Sequence, residues 1–148
     1  MTPRTGPRGK HQVLLAGLRN TPLFAYATDR ELRNVAKSAH QGYVDAGVTL
    51  MHEGDSGDRF FVVLDGTVRV TRNGRKVCDL GPGKGFGELA LLLNAPRSAT
   101  VTTTSETEVV SIDRKTFARL LDESPAFSRR LLHAMATRLR EADANDIQ

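Results

Sequence analysis

Between residues 43 and 112 this chain hardly goes six residues without a turn signal, and that punctuation most limits what it can fold into. Short runs rich in β-branched and aromatic residues fall at 43–45, 49–52, 59–64, 68–72, 76–80, 99–103 and 109–112. Asp45-Ala46-Gly47, Asp55 to Asp58, Asp65-Gly66, Asn73-Gly74 and Gly81-Pro82-Gly83 separate most of them. Asn-Gly between two strands supplies the two positive φ angles that a tight hairpin needs, so Asn73-Gly74 is a strong hairpin signal. Many short, evenly spaced strands predict a barrel or jelly roll.

Helical signals flank this region. Val13, Leu14 and Leu18 sit at helical spacing. Thr28 and Glu31 form a capping box ahead of Leu32, Val35, Ala36 and Ala39, and Gly42 ends that pattern. Asp113 is a good N-cap for a helix carrying Phe117, Leu120 and Leu121. Ser124-Pro125 starts another, with an apolar stripe through Phe127, Leu131, Met135, Leu139 and Ala142. The expected class is α+β, mainly β: a jelly-roll β-barrel flanked by N- and C-terminal helices. With 148 residues and no repeat, one domain over residues 11–148 is expected. Residues 1–10 read as a flexible basic tail, because Arg4, Arg8 and Lys10 account for three of the four net positive charges. A nucleic-acid surface would need a basic face on the folded body, so no direct nucleic-acid binding is expected. There is no long apolar run and only one cysteine, Cys78, which predicts a cytoplasmic protein without a membrane span.

The chemistry concentrates in residues 85–101, Gly-Phe-Gly-Glu-Leu-Ala-Leu-Leu-Leu-Asn-Ala-Pro-Arg-Ser-Ala-Thr-Val. Glycines let backbone approach a ligand. Residues 88–92 can form one helical turn with its N–H groups aimed at an anion, and Pro96 stops it. Arg97 offers a planar fork of donors suited to phosphate. An acid, Glu88, beside such an arginine fits a ligand with phosphate at one end and hydroxyls at the other. Glu88 also serves the blander role of stabilising a helix N-terminus.

Phe86-Gly87-Glu88-Leu89-Ala90-Leu91, a spacer, and Pro96-Arg97-Ser98-Ala99-Thr100 resemble the phosphate-binding cassette of cyclic nucleotide-binding domains. Looser likeness extends from about Leu18 to Arg140, through Pro22-Leu23-Phe24, residues 53–58 and residues 60–66. The resemblance implies a ligand site of Phe86, Gly87, Glu88, Leu89, Ala90, Arg97, Ser98, Ala99 and Thr100. It places the cyclic phosphate on Arg97 and on the N–H groups of Ala90 and Ser98. The ribose falls to Glu88 and Gly87. It implies cyclic AMP as ligand and cyclic GMP as alternative, since Ser98 leaves the base preference open; no nucleophile–base pair is visible in the sequence, so neither catalysis nor a cofactor is expected. It puts a helix after the barrel over the base, which here means residues near Leu139, Ala142 and Asp143. Partners would be an effector or a second copy, through that same helix.

Competing motifs fail on spacing. Gly81 to Gly85 lacks the Ser/Thr and the first glycine of a Walker loop, and Gly83 to Glu88 lacks the last glycine of a dinucleotide fingerprint. A cupin-type metal enzyme needs about three clustered ligands, and of His11, His40, His52 and His133 only His52 falls within the β region. Two readings remain beside it: a cyclic nucleotide sensor whose C-terminal helices move, and the sensor domain of a transcription regulator cut before its DNA-binding part.

Overall fold

A computed structural model describes residues 7–146 of the chain. Eight strands form two four-stranded sheets in which every pair is antiparallel. These are β1 (His40–Val44), β2 (Thr49–Met51), β3 (Arg59–Asp65), β4 (Val68–Arg72), β5 (Arg75–Leu80), β6 (Gly85–Phe86), β7 (Thr100–Thr103) and β8 (Thr107–Asp113). The order is β1-β8-β3-β6 in one sheet and β2-β7-β4-β5 in the other, the alternation of a jelly roll. The hairpin at Asn73-Gly74 forms as its residues dictate, with φ of 53° and 76° joining Arg72 to its partner Arg75. The strand β6, only two residues long, lies outside the β-rich runs of the sequence and pairs Phe86 with Phe61.

The central strand β3 is apolar on both faces because both faces are covered. Phe61 and Val63 face the space between the sheets, with Met51, Val68, Phe86, Ala99 and Val101. Phe60, Val62 and Leu64 face the helices, with Val110 and Ile112 beside them on β8. Those helices are α1 (Pro7–Arg19), α2 (Asp29–Lys37), α3 (Arg114–Glu123) and α4 (Pro125–Asp146). Phe24, Phe117 and Phe127 join them in edge-on contacts at 5.3 and 6.2 Å. The Thr28 capping box is complete in both directions, and Asp113 caps α3 through the Thr116 N–H at 2.8 Å.

Two expectations are revised. Residues 1–6 of the expected tail lie outside the described residues, but α1 already begins at Pro7. Lys10 belongs to the body: its ammonium lies 2.9 Å from the carboxylate of Glu108, which is 2% exposed. A buried carboxylate demands a partner, and this demand recruits the lysine and with it the first turns of α1. Burial alone would raise the Glu108 pKa, yet hydrogen bonds from Tyr43, Lys10 and Gln41 bring it below the ordinary value. The stripe on α4 is also divided. Phe127 and Leu131 are buried and Met135 is half-buried, whereas Leu139 is 68% exposed and Ala142 is exposed too.

Candidate functional site

Residues 87–98 fold back on themselves beside the β6 end of the first sheet. Gly87 opens a short 3₁₀ turn, Glu88–Leu91, with a φ of 81° that strains any residue bearing a Cβ. The chain then returns through Pro96 to an extended arm at Arg97 and Ser98. That arm is zipped to the loop after β2: Gly54 N–H donates to Arg97 O and Arg97 N–H to Asp55 O, both at 2.8 Å. Between turn and arm lies a cavity of about 260 Å³, lined by Gly87, Glu88, Leu89, Ala90, Arg97 and Ser98 with Met51, Leu93, Ala95 and Pro96.

Arg97 is half-buried in this wall. Its guanidinium donates to Arg59 O at 2.8 Å and to Gly87 O at 3.3 Å. Burial disfavours its charge, the Asp58 carboxylate favours it, and Arg114 opposes it. Gly57 packs flat against the guanidinium, where an added Cβ would collide with Arg97 Nη2 at 2.5 Å. Glu88 is half-buried as well. Burial raises its pKa above the usual 4.5, while the Leu23 N–H and the charge of Arg138 pull it down. One carboxylate oxygen, Oε2, is buried with no hydrogen-bond partner among the described residues. A buried carboxylate oxygen without a donor is uncommon.

Not every residue expected at the site is there. Phe86 is 8% exposed and stacks on Phe61 with ring centres 5.1 Å apart, so it belongs to the core between the sheets. Ala99 is 3% exposed in the same core. Each of these two adjoins a cavity residue, Gly87 or Ser98, and the alternation of extended chain sends it to the opposite face. Thr100 is turned to the loop after β2, where its hydroxyl accepts from Glu53 N–H at 3.0 Å. The Ala90 N–H donates to Gly87 O at 3.2 Å inside the 3₁₀ turn, so a phosphate would share or displace that bond. Leu139, Ala142 and Asp143 are exposed on α4 and line no part of the cavity. The α4 residue whose charge reaches Glu88 is Arg138.

Arg114 is a residue that sequence reasoning missed. From the first position of α3 its guanidinium donates to Ala90 O at 2.8 Å, Gly57 O at 3.2 Å and Leu93 O at 3.3 Å. It thus ties the start of α3 to the 3₁₀ turn and to the loop that carries Gly57. A signal existed: a cation at a helix N-terminus is unfavourable, so an arginine directly after an N-cap aspartate points to another task.

A family model described as "Cyclic nucleotide-binding domain" matches residues 42–124. A cAMP-dependent protein kinase regulatory subunit of Yarrowia lipolytica is 41% identical over 99 residues, 67% of this chain and 26% of the relative. One from Blastocladiella emersonii is 39% identical, covering 80% of this chain and 31% of the relative. The chain thus spans about a quarter to a third of the length of these curated relatives. Among solved structures, the N-terminal domain of a transcriptional regulator from Streptomyces coelicolor A3(2) superposes with a TM-score of 0.76 at 34% identity, covering 86% of this chain and 95% of that one. The regulatory domain of Toxoplasma gondii PKA with cAMP gives 0.69 at 34% identity, covering 78% and 46%. A jelly roll with flanking helices and a family match over more than half its length together show that this chain belongs to the cyclic nucleotide-binding domain family.

Proposed function

We propose that the chain is a sensor module that binds a cyclic nucleotide, cyclic AMP foremost, and signals through its C-terminal helices. The observation that carries this reading is that Arg97 and Glu88, a guanidinium and a carboxylate residue, line one cavity with Gly87, Ala90 and Ser98. A ribose hydroxyl would donate to the Glu88 carboxylate, and a cyclic phosphate would supply the anion for the fork. The regulatory-subunit relatives and the cAMP-bound Toxoplasma domain favour cyclic AMP over cyclic GMP. In this reading the module binds and does not catalyse. Among the described residues no cluster of three or more potential metal ligands occurs, and no helix is long and apolar enough to cross a membrane. We assign it to the cytoplasm.

Coupling runs through Arg114, which joins the ligand turn to α3 and so to α4. Filling the cavity changes what the turn offers that arginine, and any difference in contact shifts the helices' population. Leu139, Ala142 and Asp143, exposed here, would cover the base after such a shift; otherwise the outer face of α4, with Leu132 69% exposed and Leu139 68%, meets an effector or a second copy. Direct contact with nucleic acid is not part of this reading. The Streptomyces domain favours the second reading, the sensor part of a transcription regulator. Both readings share the ligand step. Calorimetric titration with cyclic AMP, cyclic GMP and 2′-deoxy cyclic AMP tests it: saturable one-to-one binding, weaker for the deoxy compound, is expected. No binding of either cyclic nucleotide at millimolar concentration would overturn it.

A further inference from the structure

Two consecutive peptide units carry the arm that faces the cavity, and each is pinned by a different partner. The Arg97 carbonyl accepts from Gly54 N–H at 2.8 Å. In a trans peptide C=O and N–H point in opposite directions, so this bond turns the Ser98 N–H away from the loop after β2. The next carbonyl, that of Ser98, accepts from the Nε of Arg72 at 2.9 Å. Arg72 lies at the end of β4, far from the cassette in sequence. Its hairpin is itself anchored to the same loop, because the Glu53 carboxylate accepts from Asn73 N–H at 3.0 Å. Ser98 is exposed, so packing does not hold it. The arm's direction therefore depends on these bonds.

We propose that Arg72 is a positioning residue for the ligand phosphate: by holding the Ser98 carbonyl it sets the backbone on which the Ser98 N–H is presented. This rests on the reading of the cassette as a phosphate site. A donor fixed before the ligand arrives spares the ordering cost at binding, and its loss appears as weaker affinity without loss of fold. The β4–β5 hairpin becomes part of the binding apparatus although it lines no part of the cavity.

The test compares Arg72→Ala, Arg72→Gln and Arg72→Lys with the parent protein, using cyclic AMP calorimetry and backbone ¹⁵N relaxation without nucleotide. Glutamine is the informative variant, since its amide nitrogen stands as many bonds from Cα as the arginine Nε and carries no charge. Arg72→Ala should weaken cyclic AMP binding about three- to tenfold, the worth of one partly exposed hydrogen bond. The amides of Ser98 and Ala99 should gain fast motion, and Arg72→Gln should restore affinity and rigidity to within about twofold on the same hydrogen-bond grounds. If Arg72→Gln falls with Arg72→Ala and only Arg72→Lys recovers, the residue acts by its charge and the proposal is wrong. Wild-type affinity, or unchanged Ser98 and Ala99 motion, in Arg72→Ala also overturns it. Arg97→Ala separates the two levels: if that variant binds like wild type, the phosphate site itself fails; if it alone loses binding, only the role of Arg72 fails.

Discussion

Replacing Arg97 by alanine removes the one guanidinium that, among the described residues, lines the cassette cavity. Its effects on folding and on binding should differ widely. In the unliganded protein the side chain makes two hydrogen bonds to backbone carbonyls, Arg59 O at 2.8 Å and Gly87 O at 3.3 Å. The second is long, and the residue is only half-buried, so their joint loss costs about 1–2 kcal/mol of stability. At this chain length that lowers the melting midpoint by roughly 2–8 °C. Binding loses a charge-assisted contact to a phosphate, worth about 1.5–3 kcal/mol, or roughly ten- to 150-fold in Kd. Arg97→Lys keeps the charge without the fork and should fall between wild type and alanine. Calorimetry on folded protein, checked by thermal melting, reads both quantities. An Arg97→Ala protein binding cyclic AMP within threefold of wild type would refute the reasoning.

Glu88→Gln tests the buried carboxylate through pH. Its pKa is raised by burial, so the folded state holds the proton longer than the unfolded state. Ionised Glu88 then costs stability above its raised pKa, and the cost disappears as pH falls toward 4.5. Glu88→Gln should therefore melt higher than wild type at pH 7 and lose that advantage in acid; a constant difference at both pH values would contradict the assignment. Gly57→Ala should push the Arg97 guanidinium off its carbonyls and weaken nucleotide binding while the sheets stay folded, and unchanged affinity would show that the flat contact is dispensable. Amides from Arg138 to Asp143 should exchange rapidly without nucleotide and become protected with it; unchanged exchange at saturation would remove α4 from the signalling route.

Local chemistry made much of this fold legible. Asn73-Gly74, the Thr28 capping box and Asp113 each carry their own geometry in adjacent residues, and each forms as expected. The strand β6 was hidden because Gly85-Phe86 is too short to show a period, and its pairing depends on Phe61, distant in sequence. The cassette's glycines, acid and arginine were readable as a cluster. Which of its members face the ligand cavity was not, because alternation about a bend decides that, and it sends Phe86 and Ala99 into the core. Arg114, Gly57 and Arg72 reach the site through backbone carbonyls or close packing, which no local pattern encodes. Lys10 escaped for a related reason: its partner, Glu108, is recognisable as buried only once β8 is in place.

The central claim is that Arg97 and Ser98 hold a phosphate while Glu88 holds a sugar hydroxyl. It is tested most directly by solution NMR of ¹⁵N-labelled protein titrated with cyclic AMP. The account predicts saturable shifts centred on the amides of Gly87, Ala90 and Ser98 and on the Arg97 side chain, with ¹⁵N–³¹P couplings across hydrogen bonds to phosphate at Ser98 and Arg97. Binding without those couplings, or with shifts absent from the cassette, would contradict it.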